Sequence, residues 1–405
     1  MNIQNLPTDA RAGSVTGAVL LIAGCCIGAG MLGLPVISRA AGFEPSLLMF
    51  FFSWIYMTTT ALLLLEVNLW FSNEVSIITM AHRTLGVLGK IVAWLCFIFL
   101  FYALGIAYIS GSGELISDFV NGFFGIAFPN WIGSLIVSII FGIFVYLGTR
   151  AVDLFNRLLM FGMISTYILL VILGVPHVSA ENLQHKDWSF ATLVLPVLII
   201  SFGFHNLIPS LTSYLNSDVK RLKLTIILGS AIALTIYVIW EWLILGLVPF
   251  QESDGRGILQ EGEMATEILK SAIGASWVVD VAQYFAFFAI LTSFLGNSLS
   301  FVDFLADGIK IKKTPMGKFW LCLLVIVPPF LLAMIYPRIF LTALNYAGAF
   351  GAMTLFGILP ALMVWSGRYY KNFGNKPIVP GGKVVLASII LFALFVISLQ
   401  FTSRL

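Results

Sequence analysis

Two ionisable side chains stand inside long apolar stretches of the sequence. Glu241 lies in Tyr-Val-Ile-Trp-Glu-Trp-Leu-Ile-Leu, and His205 lies in Ser-Phe-Gly-Phe-His-Asn. A carboxylate surrounded by hydrocarbon is costly unless it faces a cavity, finds a partner or carries a proton, so Glu241 is a candidate for proton or ion handling. A structural hydrogen bond to a neighbouring helix is the alternative. His205 is a candidate for substrate contact or proton relay. The alternative is that it is a neutral histidine whose hydrogen bonds are satisfied in a polar cavity.

Neutral side chains with oxygen atoms form a second group. Thr292 and Ser293, followed by Asn297 and Ser298, would suit a sodium ion, because it prefers hard oxygen ligands. Serine and threonine in membrane helices also bond across helices, which is the alternative for this group. Four other carboxylates fall nearer the ends of apolar runs, where water or headgroups can solvate them, and are weaker candidates: Glu66, Asp280, Asp303 and Asp307.

Motifs of common enzyme and nucleotide chemistry do not occur in the sequence. It has no G-x-x-x-x-G-K-[ST] loop for ATP and no H-E-x-x-H or paired Cys/His spacing for a metal, so we expect no cofactor and no metal. The basic residues are dispersed, so we assign no nucleic-acid partner. If the protein transports a solute against its concentration gradient, the energy must then come from an ion gradient. Cysteines occur only in apolar runs and without a C-x-x-C pair, as expected of packing residues: Cys25, Cys26, Cys96 and Cys322.

The elements that carry these side chains are predicted to be membrane helices. The chain is 60% hydrophobic and only 10% charged, with a mean hydropathy of +1.00. A soluble domain is roughly 25% charged. Crossing a bilayer takes about 20 apolar residues. Eleven such runs are predicted, surrounded by membrane lipid: residues 14–40, 44–68, 89–116, 131–149, 155–175, 190–213, 224–249, 276–305, 317–335, 339–366 and 383–402.

The distribution of lysine and arginine predicts the orientation of these spans. If the amino terminus is cytoplasmic, 16 of the 22 basic residues fall on the inner side. Cytoplasmic loops carry an excess of Lys and Arg, so this orientation is favoured. An odd number of spans then places the carboxyl terminus outside.

Glycine and proline interrupt two of the runs. Residues 24–35 read Gly-Cys-Cys-Ile-Gly-Ala-Gly-Met-Leu-Gly-Leu-Pro, and residues 201–210 read Ser-Phe-Gly-Phe-His-Asn-Leu-Ile-Pro-Ser after Pro196. Both residue types weaken a helix interior, and hydrocarbon tolerates unpaired backbone only where it is buried in protein or lines a cavity. We therefore predict that helices 1 and 6 are broken. For Gly24-x-x-x-Gly28, close packing of an intact helix is the alternative.

The spacing of the two breaks predicts an internal repeat. They lie five spans apart, so spans 1–5 and 6–10 run through the membrane in opposite directions. Interrupted helices at matching positions of two halves are typical of secondary transporters with a midplane substrate site. We expect residues 1–405 to form a single membrane transporter domain, with repeat halves at approximately 14–175 and 190–366 and an extra helix at 383–402.

Several strings resemble the bacterial hydroxy and aromatic amino acid permease family, in particular its tyrosine and tryptophan permeases. They are residues 28–35, 41–43 (Ala-Gly-Phe), 201–205 and 208–211 (Ile-Pro-Ser-Leu), and the similarity runs through essentially all eleven spans. The sixth-span string is specific to this family. The first-span string is shared among amino acid transporters of the wider amino acid-polyamine-organocation superfamily.

The resemblance implies an all-α fold of the leucine-transporter type, with a five-plus-five inverted repeat and an eleventh helix. It also implies a bacterial inner-membrane location, with the carboxyl terminus in the periplasm, and proton-driven symport of an aromatic amino acid, tyrosine first and tryptophan second. Backbone amides would hold the substrate carboxylate at the positive start of a half-helix. The implied substrate-binding residues are Gly28, Ala29 and Gly30 for the carboxylate, Ser201, Phe202 and Gly203 for the ammonium group, and Phe204, Tyr102 and Tyr108 for the ring.

The resulting prediction is a symporter and not an enzyme. Sodium coupling in the same fold is one alternative. A polytopic membrane enzyme is another, but His82, His177 and His185 fall in or near loops without a recognisable partner set. A passive channel would need a continuous polar lining, which these spans do not show.

Overall fold

The computed structural model describes residues 13–71, 75–249, 276–312, 314–336, 338–373 and 377–402. Within these ranges the regular structure is entirely helical. In this part of the chain, ten helices are long and apolar enough to cross a membrane, and one bent pair of shorter helices makes an eleventh span. The predicted number of spans is confirmed.

We number the spans α1 to α11 and divide the two broken ones. α1a and α1b are Val15–Cys26 and Ala29–Ser38, and α6a and α6b are Leu195–Ser201 and Ile208–Tyr214. Odd-numbered spans run away from the membrane face at which α1 begins, which we call the N face, and even-numbered spans return to it. The other spans are α2 Phe43–Leu69, α3 Ile77–Phe124, α4 Asn130–Leu147, α5 Thr149–Gly174, α7 Val219–Leu247, α8 Ser276–Gly308, α9 Pro315–Ile335, α10 Phe340–Tyr369 and α11 Gly382–Thr402.

The third span is longer than the sequence predicts. It begins at Ile77, where Ser76 caps the first turn, and it kinks at Gly86, whose φ of 76° only glycine adopts easily. Two helical segments meet at this kink, so the segment after it begins close to the predicted start at residue 89, and the exposed side chains of His82 and Arg83 lie on the segment before it.

Both predicted breaks are present. α1a ends at Cys26, Gly28 is fully extended, and α1b continues at an angle of 43° to α1a. α6a ends at Ser201, and regular helix resumes only at residue 205. The intact-helix alternative for the first span is therefore wrong. A Cβ at Gly24 would make only an ordinary contact with Met160, so tight packing does not require a glycine there.

α10 departs from α-helical winding in its middle third. It is α-helical over Phe340–Tyr346, π-helical over Ala347–Ile358 and α-helical again over Leu359–Tyr369. π-Helical segments are rare and concentrate at functional sites. Gly348 lies against the carbonyl of Pro196, where no side chain would fit, so α10 packs directly on the backbone of α6a.

The spans form two packed groups. α1, α2, α6 and α7 contact one another, and α3, α4, α5, α8 and α9 form the second group. α10 packs against both groups, on α6a and α2 from one side and α3 from the other. The order of a broken helix followed by four further helices occurs twice, in α1–α5 and in α6–α10.

A buried ion pair ties α2 to α10. Glu66 is 3% exposed and accepts two hydrogen bonds from the guanidinium of Arg368, both 2.6 Å long. The amide of Ile378 donates to the same carboxylate at 2.7 Å, and Arg368 donates to the carbonyl of Val379 at 2.9 Å. The expectation that water or headgroups solvate Glu66 is wrong, because Arg368 neutralises it inside the protein.

Candidate functional site

A cavity of about 330 Å³ lies beside the breaks of α1 and α6. Small-molecule sites commonly measure roughly 300–1,000 Å³. Its walls come from both packed groups of helices. The lining residues are Gly24, Cys25, Ile27, Phe97, Leu100, Phe101, Leu104, Tyr108, Asn156, Met160, Ile200, Gly203, Asn206, Leu207, Thr292, Ser293, Gly296, Asn297, Ser300 and Phe356.

The cavity extends from the breaks toward the N face. On α5, which leaves that face, the lining residues Asn156 and Met160 belong to the earlier half of the span. On α8, which returns to it, the lining residues belong to the later half, from Thr292 to Ser300, whereas those of α3 and α6 lie near the middle of their spans. The opposite half is packed shut. Met31, Val197 and Leu341 are all at most 1% exposed, and a Cβ at Gly33 would lie 2.7 Å from Leu341. The structure is therefore closed toward the opposite face.

The lining is aromatic and polar without formal charge. Phe97, Phe101, Tyr108 and Phe356 supply rings, and amides and hydroxyls of α5, α6 and α8 supply polar groups. None of the described lining residues is acidic, basic or histidine. Such a site suits a ligand with an apolar ring and no net charge.

The first break lies against α8 and α6. The amide of Ala29 donates to Ser293 Oγ at 3.0 Å, and a Cβ at Gly28 would collide with the same hydroxyl. A Cβ at Gly30 would lie 2.7 Å from Ser201 Oγ and 3.3 Å from Ser201 Cα. Glycine at 30 thus permits the close approach of the two breaks, and glycine at 28 permits the close approach of the first break to α8.

The carbonyl end of α1a faces the cavity. Among the described residues, no donor reaches the carbonyl oxygens of Gly24 or Cys25, whereas Ala23 O accepts from Ile27 N at 2.9 Å. The final carbonyls of a helix carry a partial negative charge. Gly24 and Cys25 line the cavity, so this helix end can accept a positively charged group.

The second break has fewer available carbonyls. Ser201 O accepts a hydrogen bond from the Tyr237 hydroxyl at 2.7 Å, and Phe202 O accepts from Phe204 N at 3.0 Å. The Tyr237 hydroxyl also contacts Cys26 O at 2.6 Å. One side chain of α7 therefore touches the ends of both half-helices.

The structure brings only some of the predicted substrate residues to the cavity surface. Gly203 and Tyr108 line it, together with the coupling candidates Thr292 and Ser293. The other residues of the breaks lie one layer behind the surface or face away: Gly28, Ala29, Gly30, Ser201, Phe202 and Phe204.

Two predicted aromatic residues point elsewhere. Tyr102 donates its hydroxyl to Leu324 O of α9 at 2.9 Å and is not part of the lining. Phe202 packs its ring edge-on against Tyr237, with 5.1 Å between ring centroids. The rings that do line the cavity are supplied mainly by α3 and α10.

His205 is buried behind the cavity wall. Its Nε2 is 2.9 Å from Thr60 Oγ1, which in turn donates to Met57 O at 3.1 Å, so His205 donates to the threonine. The imidazole stacks on Phe356 with 4.7 Å between ring centroids. Its Nδ1 has no hydrogen-bond partner among the described residues. These contacts are those of a neutral histidine that joins α6, α2 and α10.

Glu241 lies outside the cavity, in the closed half of the protein. The side chain is 1% exposed, and Oε1 is hydrogen-bonded with the hydroxyl of Ser38 at the end of α1b. Oε2 has no partner in the described part of the chain. Ser38 Oγ is also 2.6 Å from Leu34 O. Glu241 is thus a buried carboxyl group that no cation of the described ranges contacts.

Sequence reasoning missed most of the side-chain pocket. Phe97, Phe101, Leu104 and Tyr108 recur at intervals of four, three and four residues along α3, which places them on one helix face. That signal was present but could not be told from ordinary packing. Asn156 and Asn206 gave no signal, because single asparagines in membrane helices also bond to neighbouring helices.

Comparison with known proteins identifies relatives over almost the whole chain. A sequence model of the tryptophan/tyrosine permease family matches residues 11–400. "Tyrosine-specific transport system 1" of Haemophilus influenzae is 33% identical over 395 residues, 96% of each chain. The "Tryptophan-specific transport protein" of the same organism is 31% identical over 412 residues, 98% of this chain and 97% of that one.

The fold is also found among solved structures. The crystal structure of MhsT in complex with L-phenylalanine matches with a TM-score of 0.67 and 13% identity, over 98% of this chain and all of that chain. MhsT has the leucine-transporter fold, so the predicted inverted-repeat architecture is confirmed. The relatives are named as transport systems and permeases, which confirms a transporter rather than an enzyme. The chain belongs to the tryptophan/tyrosine permease family of multi-pass membrane transport proteins.

Proposed function

We propose that this protein is a secondary active transporter that brings an aromatic amino acid into the cytoplasm by proton symport, with tyrosine preferred and tryptophan next. The whole chain works as one transport unit in the bacterial inner membrane, with the amino terminus cytoplasmic and the carboxyl terminus periplasmic. The observation that carries the proposal is the uncharged, ring-lined cavity at two helix breaks, in a member of this permease family.

The backbone of the substrate fits the ends of the half-helices. An amino acid zwitterion needs a positive and a negative partner, and the lining residues supply no formal charge. The amides of residues 28–30 begin α1b and attract the carboxylate, which takes the place of Ser293 Oγ on the amide of Ala29. The ammonium group binds the carbonyls of Gly24 and Cys25, with Gly203 on the facing break.

The ring of the substrate fits the aromatic part of the cavity. It is lined by Phe97, Phe101 and Tyr108 of α3 and by Phe356 of α10. Polar side chains of α5, α6 and α8 offer partners for a phenol hydroxyl or an indole N–H. A site that bonds such a group rejects the analogue that lacks it, so phenylalanine should bind less well than tyrosine.

With the N face cytoplasmic, the described conformation is closed toward the periplasm. Alternating access then requires the packed group of α1, α2, α6 and α7 to move relative to the group of α3, α4, α5, α8 and α9. The substrate site lies on the boundary between these groups, as in other transporters built from inverted repeats.

Glu241 is the candidate carrier of the coupled proton. The Ser38 hydroxyl has one proton but contacts two oxygens, Leu34 O and Glu241 Oε1. If the serine donates to its helix carbonyl, the carboxyl group must be the donor to Ser38 Oγ. This arrangement therefore favours a protonated Glu241 in the inward-facing state. An ionised carboxylate there would remain buried without a counter-ion.

Other titratable groups on the elements around α7 are engaged elsewhere. Arg39 donates to Pro249 O at 2.8 Å, Tyr167 donates to Ile236 O at 3.0 Å, and His185 contacts Ala40 O at 2.9 Å. Lys186 and Glu44 form an exposed pair. None of these groups has a hydrogen bond or ion pair with Glu241 among the described contacts.

A single proton provides enough driving force. One positive charge gains about 2.3 kcal/mol per 100 mV. That energy sustains roughly fifty-fold accumulation of a neutral solute.

Sodium remains the alternative coupling ion, through Thr292 and Ser293. The hydroxyl of Thr292 donates to Ala289 O at 3.0 Å, and Ser293 accepts from an amide. Each hydroxyl thus has a partner among the described residues, Thr292 as a donor and Ser293 as an acceptor. Uptake measured with sodium replaced by choline decides between the two ions. Unchanged uptake supports the proton.

Counterflow in liposomes tests the proposed transport. Purified protein in liposomes preloaded with unlabelled tyrosine should accumulate labelled tyrosine transiently, which a channel or an enzyme would not produce. Competition by all twenty amino acids should rank tyrosine and tryptophan first and charged amino acids last. Strong competition by arginine or glutamate would contradict the proposed uncharged site.

A pair of glycine variants locates the site. In Gly30→Leu the new side chain meets Ser201, so counterflow should be lost. Gly122→Ala adds a side chain where no atom lies within 4 Å, so it should behave as the parent protein. Normal counterflow by Gly30→Leu, at equal membrane content, would remove the breaks from the substrate site.

A further inference from the structure

The hydroxyl of Tyr237 lies where two half-helices end. α1a ends at Cys26 and α6a ends at Ser201. The last carbonyls of a helix have no partner within it and form its negative end. Two such ends that face one point attract positive charge, and in transporters with broken helices such ends coordinate Na⁺ or a proton.

Tyr237 supplies a neutral donor at this point. Its Oη lies 2.6 Å from Cys26 O and 2.7 Å from Ser201 O, and the side chain is completely buried. A phenol hydroxyl carries one proton, so it serves two carbonyls only by sharing that proton between them. The carbonyls thus form an acceptor pair of the kind that takes a small cation, but a hydroxyl stands between them.

We propose that the Tyr237 hydroxyl takes the place of a monovalent cation between the ends of α1a and α6a. The protein then holds its two breaks together without a bound ion at this position. Tyr237 does not touch the cavity, so it is a positioning residue. α7 packs on α1 and α2, and the hydroxyl adds its contact with α6a, so the tie lies inside one packed group of helices.

Removal of the hydroxyl should create a cation site. In Tyr237→Phe, the carbonyls of Cys26 and Ser201 lose their donor and the volume of one oxygen atom becomes free between them. Buried carbonyls without a partner are costly, so a small cation that satisfies both stabilises the variant. Na⁺ and Li⁺ are the probes, because both are small and prefer oxygen ligands.

The matched control is Tyr167→Phe. Tyr167 is a half-buried tyrosine that donates to one backbone carbonyl, Ile236 O, at 3.0 Å, and that carbonyl lies within α7 and away from the breaks. The same chemical change is made in both variants. A difference between them reports on the position between the half-helix ends.

Thermal unfolding of the purified full-length protein is the first test. The parent protein and both variants are heated in detergent without substrate, in sodium, lithium or choline chloride of equal concentration. Sodium or lithium should raise the unfolding temperature of Tyr237→Phe by about 2 °C or more above any rise in Tyr167→Phe. Equal responses of the two variants would overturn the proposal.

Uptake is the second test, and it rests on the proposed transport function. In choline medium, Tyr237→Phe should take up tyrosine at least about tenfold more slowly than Tyr167→Phe, with partial recovery in sodium. Parent-like uptake by Tyr237→Phe in choline, or an equal loss in both media, would contradict the role of the hydroxyl as a cation substitute. If the protein does not transport tyrosine, none of the three proteins will show uptake, and the unfolding test will still apply.

Discussion

Two buried carboxyl groups, Glu66 near the N face and Glu241 in the closed half, have opposite surroundings. They are 3% and 1% exposed. Arg368 binds both oxygens of Glu66, and a backbone amide adds a third hydrogen bond. Glu241 has one hydroxyl partner and one oxygen without any among the described residues. Both are almost fully buried, but within the described part of the chain only Glu66 has a counter-charge.

This difference distinguishes a carboxylate that is permanently paired with a cation from a carboxyl group that can gain and lose a proton. A carboxylate that an arginine neutralises inside the protein stays ionised, and removal of its partner is costly. A buried carboxyl group without a cation is stable only with a proton bound, so its ionisation must follow a change in its surroundings. We therefore expect Glu66 to govern stability and Glu241 to govern coupling.

The largest effect is expected from Arg368→Met. This change leaves Glu66 buried without its cation, so the free energy of unfolding should fall by about 3–5 kcal/mol. Equilibrium unfolding of the purified protein in mixed detergent micelles measures the loss. A loss below about 1 kcal/mol, typical of exposed pairs, would mean that Glu66 is not held as a charged group and would break the contrast.

Glu241→Gln should act on coupling instead of stability. The amide keeps a donor for Ser38 and imitates the protonated carboxyl group, but it cannot release a proton. Accumulation driven by a proton gradient should fall from roughly fifty-fold to none. Counterflow, which needs no gradient, should persist.

The matched variant for this prediction is Glu66→Gln. It should lose stability but keep uptake that responds to the external pH. Reconstituted protein with an imposed pH gradient provides the measurement for both variants. A gradient response that survives in Glu241→Gln and disappears in Glu66→Gln would reverse the assignment of the two groups.

A smaller effect is expected from Ser38→Ala. The variant removes the one partner of Glu241, so stability should fall by about 1–3 kcal/mol while the dependence on a pH gradient remains. Ser388→Ala is the control, because Ser388 donates only to its own helix, to Val384 O at 3.0 Å. Equal unfolding curves for the two variants would show that Ser38 does not support Glu241.

The smallest effect is expected from Arg157→Ala. Arg157 pairs with Asp153 at 2.8 Å, one turn earlier on α5, and both side chains are more than half exposed. Such pairs contribute about 0–1 kcal/mol, so the unfolding curve should hardly move. Destabilisation comparable to that of Arg368→Met would show that burial does not distinguish the two arginines.

Features that depend on neighbouring residues were predictable from the sequence, and features that depend on residues far apart in the chain were not. Both helix breaks were predictable, because glycine and proline act locally on backbone conformation. Glu241 was recognisable as an acid inside an apolar run, but its partner Ser38 is 203 positions away and is one serine among many. The prediction that water or headgroups solvate Glu66 was wrong, because no residue near Glu66 in the sequence indicates its pairing with Arg368.

The cavity was the least predictable part. Aromatic residues make up 14% of the sequence, so the rings of Phe97 and Phe356 could not be told from packing residues. Tyr102 and Tyr108 were both assigned to the pocket through the resemblance to the permease family. The two differ by six positions, which is not a multiple of the helical repeat, and Tyr102 therefore faces α9.

The pairing of Glu66 with Arg368 also has a consequence for biosynthesis. The two residues are 302 positions apart, and ribosomes add roughly 5–20 residues per second. Glu66 therefore emerges on the order of 15–60 s before its arginine. During this interval the newly made second span must stay near the insertion machinery or carry a proton on its carboxyl group. The first nine spans are assembled around an acid whose permanent partner arrives with the tenth.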